Sequence, residues 1–207
     1  MFQDAERHLS RRDKVLRRLI KSIGPCSLQH NPDGFAVLAR SIVSQQISTR
    51  AALAISGRLI AALGKLRPKA VLGATDETLR AAGLSQSKCR SLKDLAEKCL
   101  GGELPLKKLH AMPDEDVIER LIPVRGIGRW TAEMFLIFSL GRLDVLPVGD
   151  FGLRAGVQKH YELADMPKKA DLETLAEPWR PFRSIATWYM WRSFGVVPQS
   201  TPKAATT

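Results

Sequence analysis

The chain has 207 residues, is 44% hydrophobic and 26% charged, and carries a net charge of +11. Its apolar runs fall far short of the ~20 residues of a membrane span, and the charged opening MFQDAERHLSRRDK has no secretion-signal core, so a protein that stays inside the cell is expected. Cys26, Cys89 and Cys99 form no CxxC pair or Cys/His cluster, which argues against zinc and four-cysteine iron–sulfur sites, while the basic excess favours polyanions through counterion release.

Helical periodicity dominates and strand alternation is nearly absent, so the expected fold class is all-α. After an N-terminal helix, Phe35, Leu38, Ala39, Ile42 and Val43 mark one helical face. Ala52, Ile55, Leu59, Ala62 and Leu63 mark the next, with Gly64 as a stop. Asp76 and Glu77 open a short helix that Gly83 ends, and Cys89, Leu92, Leu95, Ala96 and Cys99 stripe another. Asp114, Glu115 and Asp116 crowd a first turn whose helix Pro123 closes. Met134, Ile137 and Phe138 lie along a helix expected from about Ile127 to Gly141. Another should follow Asp150, with Leu153, Val157 and Tyr161 inward. A last pair is expected near Leu172–Trp179 and Phe182–Phe194, with Pro181 in a first turn. Residues 197–207 read as a flexible tail.

Two segments carry chemistry. Leu121–Ala132 reads as helix, tight turn, helix, with glycines at 126 and 128 that permit positive φ and close approach of a phosphate. The amides that open the second helix would receive that anion, recognising backbone without reading bases. A plain αα-hairpin whose glycines relieve packing is the alternative. Downstream, Pro147-Val148-Gly149-Asp150 sets a solitary acid at a helix start, either a reactive carboxylate or simply an N-cap.

Val124–Ala132 resembles the helix-hairpin-helix of the DNA glycosylase superfamily, and Pro147–Asp150 resembles its loop ending in the catalytic aspartate. Ser44–Ala52, Leu84–Lys88 and Trp179–Ser184 are similar to the 3-methyladenine DNA glycosylase branch. The resemblance implies two interleaved helical lobes with an inter-lobe active-site cleft holding Asp150. Residues 24–140, with the helix-hairpin-helix at 121–132, would form one lobe, and residues 1–23 plus 141–196 the other. It also implies base excision repair: an alkylated purine is flipped from double-stranded DNA and hydrolysed away, leaving an abasic site. Bifunctional relatives place a lysine where this chain has Trp130, and no lysine occurs between Lys108 and Lys159, so no lyase nucleophile is expected. The iron–sulfur branch has four cysteines near its C-terminus, and this chain has none after Cys99.

The implied roles follow residue by residue. Asp150 would stabilise the oxocarbenium-like sugar and orient water, whereas Asp144 is expected to pair with Arg142 or serve structure. Trp130, Met134, Phe151, Trp188 and Trp191 would line the base pocket, unless they are core. Gly126, Ile127, Gly128, Arg129, Thr131 and Arg125 would meet the DNA backbone. Gln46, or Ile47, would fill the gap left by the flipped base, the plainer role for Gln45 and Gln46 being to cap a helix turn. Main-chain carbonyls of Ile122, Val124 and Ile127 would hold a structural Na+ or K+; no other cofactor is required. A monomer is expected, in the nucleoid or the nucleus according to the host. Competing functions are a non-catalytic helix-hairpin-helix DNA binder and a glycosylase for deaminated or mismatched bases.

Overall fold

A computed structural model describes residues 2–195; the tail expected at 197–207 lies outside the described residues. All regular structure among them is helical: α1 (Gln3–Arg12), α2 (Lys14–Ile23), α3 (Gly34–Ser44), α4 (Thr49–Leu63), α5 (Pro68–Gly73), α6 (Asp76–Ala81), α7 (Gln86–Leu100), α8 (Asp114–Leu121), α9 (Arg129–Phe138), α10 (Phe151–His160), α11 (Lys169–Leu175) and α12 (Arg183–Arg192). Short 3-10 turns cover Leu106–Ala111 and Glu177–Trp179. The all-α expectation holds.

The chain partitions into two compact units, residues 31–140 and residues 2–30 with 141–195. In the first, α3 is buried on nearly every side, as a helix apolar all round must be, and packs on α4, α7 and α9. Its apolar stripe Leu38, Ile42 and Val43 is buried, as are Leu59 of α4, Leu92 and Leu95 of α7, and Phe135 of α9. The last turn of α4 departs from the expected face, because Ala62 is exposed.

In the second unit α12 packs on α2 and α10, around Leu9, Leu16, Leu153, Val157, Trp179, Ile185 and Tyr189. The N-terminal helix is two helices, because Asp13 leaves helical φ/ψ and caps α2 by accepting from the Val15 and Leu16 amides at 2.8 and 3.0 Å. The same carboxylate accepts from Trp179 Nε1 at 2.9 Å and from the Tyr161 hydroxyl. Glu6 accepts from the Cys26 amide at 2.6 Å and the Tyr189 hydroxyl at 3.0 Å. This contact, with Cys26 and Leu28 packed on the core, puts residues 24–30 in this unit rather than with 31–140. Two other expectations change. Pro178 sits in a 3-10 turn, so 172–179 is not one helix, and Pro181 precedes the Phe182 N-cap of α12 instead of entering its first turn.

Candidate functional site

The hairpin joins α8 to α9 within the 31–140 unit. Gly126 has φ +75°, and a Cβ there would lie 2.4 Å from Ser91 Oγ on α7, so conformation and space both require glycine. Gly128 differs: its φ is −101°, and a Cβ would meet nothing within 4 Å. Nothing in the fold demands glycine at 128, and its missing side chain leaves open space at the start of α9. No side chain caps that helix, which begins at Arg129 rather than near Ile127. Uncapped first-turn amides and the helix dipole suit an anion.

Several expected backbone contacts are otherwise engaged. The Arg129 guanidinium donates to both Glu115 oxygens at 2.9 and 2.5 Å and to Glu133 at 3.2 Å. These bonds raise its pKa, and the side chain stitches α8 to α9 instead of being offered to a phosphate. Thr131 is buried and accepts from Gln45 Nε2 at 3.0 Å, while Ile127 is a buried core residue. Arg125 is exposed, and its main-chain N–H donates to Asp94 at 2.7 Å. Asp94 thus fixes the loop and leaves the Arg125 side chain outward.

The corner after α3 lies in the same unit. Gln45 caps α3 through its backbone N–H, which donates to the Ile42 carbonyl, and its side-chain Nε2 donates to the Gly126 carbonyl at 2.8 Å. Gln46 and Ile47 are exposed, and Gln46 has φ +55°. Ser48 then caps α4 by accepting from the Ala51 amide. Capping belongs to Gln45 and Ser48, and Gln46 does none of it. Trp130 is half-buried near the start of α9, whereas Met134 is completely buried. Met134 is therefore core, not the floor of an open pocket.

Asp150 lies in the other unit. Its amide closes a turn onto the Pro147 carbonyl at 2.8 Å, and its carboxylate N-caps α10 by accepting from the Leu153 amide at 2.6 Å. The same Oδ1 accepts from Trp191 Nε1 at 2.7 Å. The residue is only 6% exposed, so the acid is held rigidly at a helix N-terminus. Gly152 makes this possible: a Cβ there would stand 3.0 Å from the Trp191 ring and 3.2 Å from Asp150 Oδ1. Nothing in the sequence pattern singled out Gly152.

The neighbouring aromatics divide. Phe151 is 73% exposed beside the acid, an unusual setting for a large apolar ring. Trp191 is buried and serves as a donor to Asp150 rather than as a bare wall. Trp188 is 2% exposed and packs edge-on against Tyr189, so it belongs to the core. Asp144 is structural, as expected, but its partners are Arg183, at 2.8 and 3.0 Å, and Arg180, at 2.9 Å, rather than Arg142. With Ser184 Oγ bonded to the Arg142 carbonyl and the Val145 amide, these contacts pin the approach to Asp150 onto the start of α12.

The family model described as HhH-GPD superfamily base excision DNA repair protein matches residues 39–181. The chain is similar to DNA-3-methyladenine glycosylase 1 of Schizosaccharomyces pombe, 37% identical over 205 residues that cover 96% of this chain and 90% of the relative. It is similar to alkylbase DNA glycosidase-like protein mag2 of that organism, 33% identical with 92% and 93% covered. Among solved structures it is similar to the 3-methyladenine DNA glycosylase of S. pombe in complex with abasic DNA, with a TM-score of 0.87 at 35% identity, covering 96% of this chain and 100% of that one.

Proposed function

The chain belongs to the HhH-GPD superfamily of base excision DNA repair proteins, and from that premise we propose that it is a monofunctional DNA glycosylase that removes alkylated purines from double-stranded DNA. Its substrates are of the 3-methyladenine and 7-methylguanine type, and its product is an abasic site. The observation that carries this reading is the buried Asp150 carboxylate, fixed by the Leu153 amide and the Trp191 indole.

As the N-glycosidic bond breaks, the base leaves with the bonding electrons and positive charge builds on the sugar. The Asp150 carboxylate stabilises that charge and orients, then deprotonates, the attacking water. Positioned proton transfer supplies about 10²–10⁴-fold, which suits substrates whose own positive charge already weakens the bond. Trp130 stands where lyases of the superfamily carry lysine, and the sequence has no lysine between 108 and 159. Water is therefore the nucleophile, and the strand stays intact.

The amides opening α9 hold a DNA phosphate, with Gly126 and Gly128 admitting the backbone. Exposed Gln46 and Ile47 enter the gap left by the flipped base, and exposed Phe151, beside Asp150, offers a ring to that base. The carbonyls of Ile122, Val124 and Ile127 fit a monovalent cation: they are neutral oxygens, Ile122 caps the negative end of α8, and the Val124 carbonyl accepts one hydrogen bond, from Ile127. Such an ion, held by those carbonyls, would supply positive charge beside the hairpin. The enzyme works as a monomer.

Incubation with methylated duplex, followed by strand analysis with and without hot alkali, tests the proposal. Free base and alkali-dependent breaks are expected. Breaks without alkali, trappable by borohydride, would make it a lyase, and binding without base release would make it a DNA-binding module. Asp150→Asn should bind DNA normally and lose on the order of 10²-fold or more in excision; turnover at the normal rate removes Asp150 from the mechanism.

A further inference from the structure

Gln46 combines three properties. It adopts the left-handed conformation, φ +55°, that favours glycine at helix ends. It is exposed, and its side chain makes no hydrogen bond among the described residues. A helix end shaped only for stability would carry glycine there, so the glutamine side chain is kept at a conformational cost.

Two contacts hold this corner. Lys88, in the first turn of α7, donates from Nζ to the Val43 carbonyl at 2.7 Å and the Gln45 carbonyl at 2.8 Å. The second of these is the peptide oxygen directly before Gln46. The Gln45 side chain, in turn, donates to Gly126 and Thr131 at 2.8 and 3.0 Å. One contact ties the corner to α7 and the other ties it to the hairpin. Lys88 is half-buried and has no ion pair among the described residues. Burial without a carboxylate lowers its pKa, so the ammonium is not placed for charge pairing. Its reach and multiple donors are what the corner uses, since one group satisfies two carbonyls at the negative end of α3.

We infer that Lys88 is a positioning residue for base flipping: through the Val43 and Gln45 carbonyls it sets Gln46 and Ile47 in the conformation that enters the gap left by an extruded base. This rests on the reading of Gln46 and Ile47 as the gap-filling corner. Lys88 itself touches no DNA in this scheme. Without its ammonium, two carbonyls at the end of α3 lose their donor and Gln46 relaxes from its left-handed state, while the hairpin keeps the bond from the Arg125 amide to Asp94.

The test uses the full chain bound to a duplex carrying a stable abasic-site analogue beside 2-aminopurine, whose fluorescence rises on unstacking. Excision is measured in parallel on methylated duplex and methylated single strand. Lys88→Met should bind undamaged duplex within about twofold of the unmodified protein and lose most of the fluorescence rise. Its excision from duplex should slow about tenfold more than from single strand, where no stacked gap has to be filled. A full fluorescence rise, or equal losses on the two substrates, overturns the inference. Lys88→Gln, a shorter donor that satisfies one carbonyl at most, carries the same comparison if the methionine variant does not fold. The fluorescence readout needs no catalysis, so a protein that fills the gap yet releases no base would sink the glycosylase reading alone.

Discussion

Asp150 and Trp191 are 41 residues apart in the chain and share a hydrogen bond of 2.7 Å. Gly152 is the residue that lets them meet. Gly152→Ala should be nearly neutral for stability: alanine gains about 1 kcal/mol of helix propensity over glycine, offsetting about 1 kcal/mol for a weakened hydrogen bond. If Asp150 acts as proposed, excision should nevertheless fall about tenfold, because the added methyl pushes the indole from the carboxylate. Thermal melting, the excision rate and the chemical shift of the Trp191 indole proton check this together. Unchanged excision with a shifted indole proton would mean that the Leu153 amide alone positions the acid. At this scale the sequence was informative about residue type and poor about partnership. Asp150 was legible as a capping acid because an acid before a helical stripe is conspicuous. Gly152 looked like any glycine in a helix, since only the folded chain brings Trp191 over it.

Among the elements, the α8–α9 hairpin was legible as a whole and misleading in parts. The glycine spacing located the turn, but which glycine is structural depends on α7, whose Ser91 closes over Gly126 and leaves Gly128 open. Arg129 read as a phosphate ligand because its charge is visible in sequence, whereas the Glu115 pairing crosses from α8 and is not. Gly126→Ala should cost about 1–2 kcal/mol through φ and a similar amount through the clash with Ser91. Adding Ser91→Gly should recover the second contribution and not the first. Urea unfolding of both single variants and the double checks this; full recovery would show that the left-handed conformation carries no cost. DNA affinity should follow hairpin geometry and recover only in part.

For the whole molecule, burial of neutral acids predicts the alkaline limit of stability. Burial pushes the Cys26 thiol up to about 12 from an ordinary 9.0, and the Cys99 thiol up to about 11. The Tyr161 and Tyr189 hydroxyls are pushed up as well, first by burial and then by their bonds to Asp13 and Glu6. Groups with raised folded pKa values contribute fully below their unfolded pKa and progressively less above it. The urea midpoint should therefore stay level with respect to these groups up to about pH 8 and fall between about pH 9 and 12; a flat profile across that window would show the thiols to be accessible. The partition into 31–140 and 2–30 with 141–195 bears on synthesis. The contiguous unit, with the hairpin and the Gln46 corner, is complete while the remainder is still emerging from the ribosome. The discontinuous unit must wait for α12, and Asp150 has no Trp191 until then. During translation the chain would pass through a species that carries the proposed DNA-holding hairpin before the proposed catalytic acid is fixed. On the proposed role of Asp150, the order of elements thus delays base removal until α12 has been made.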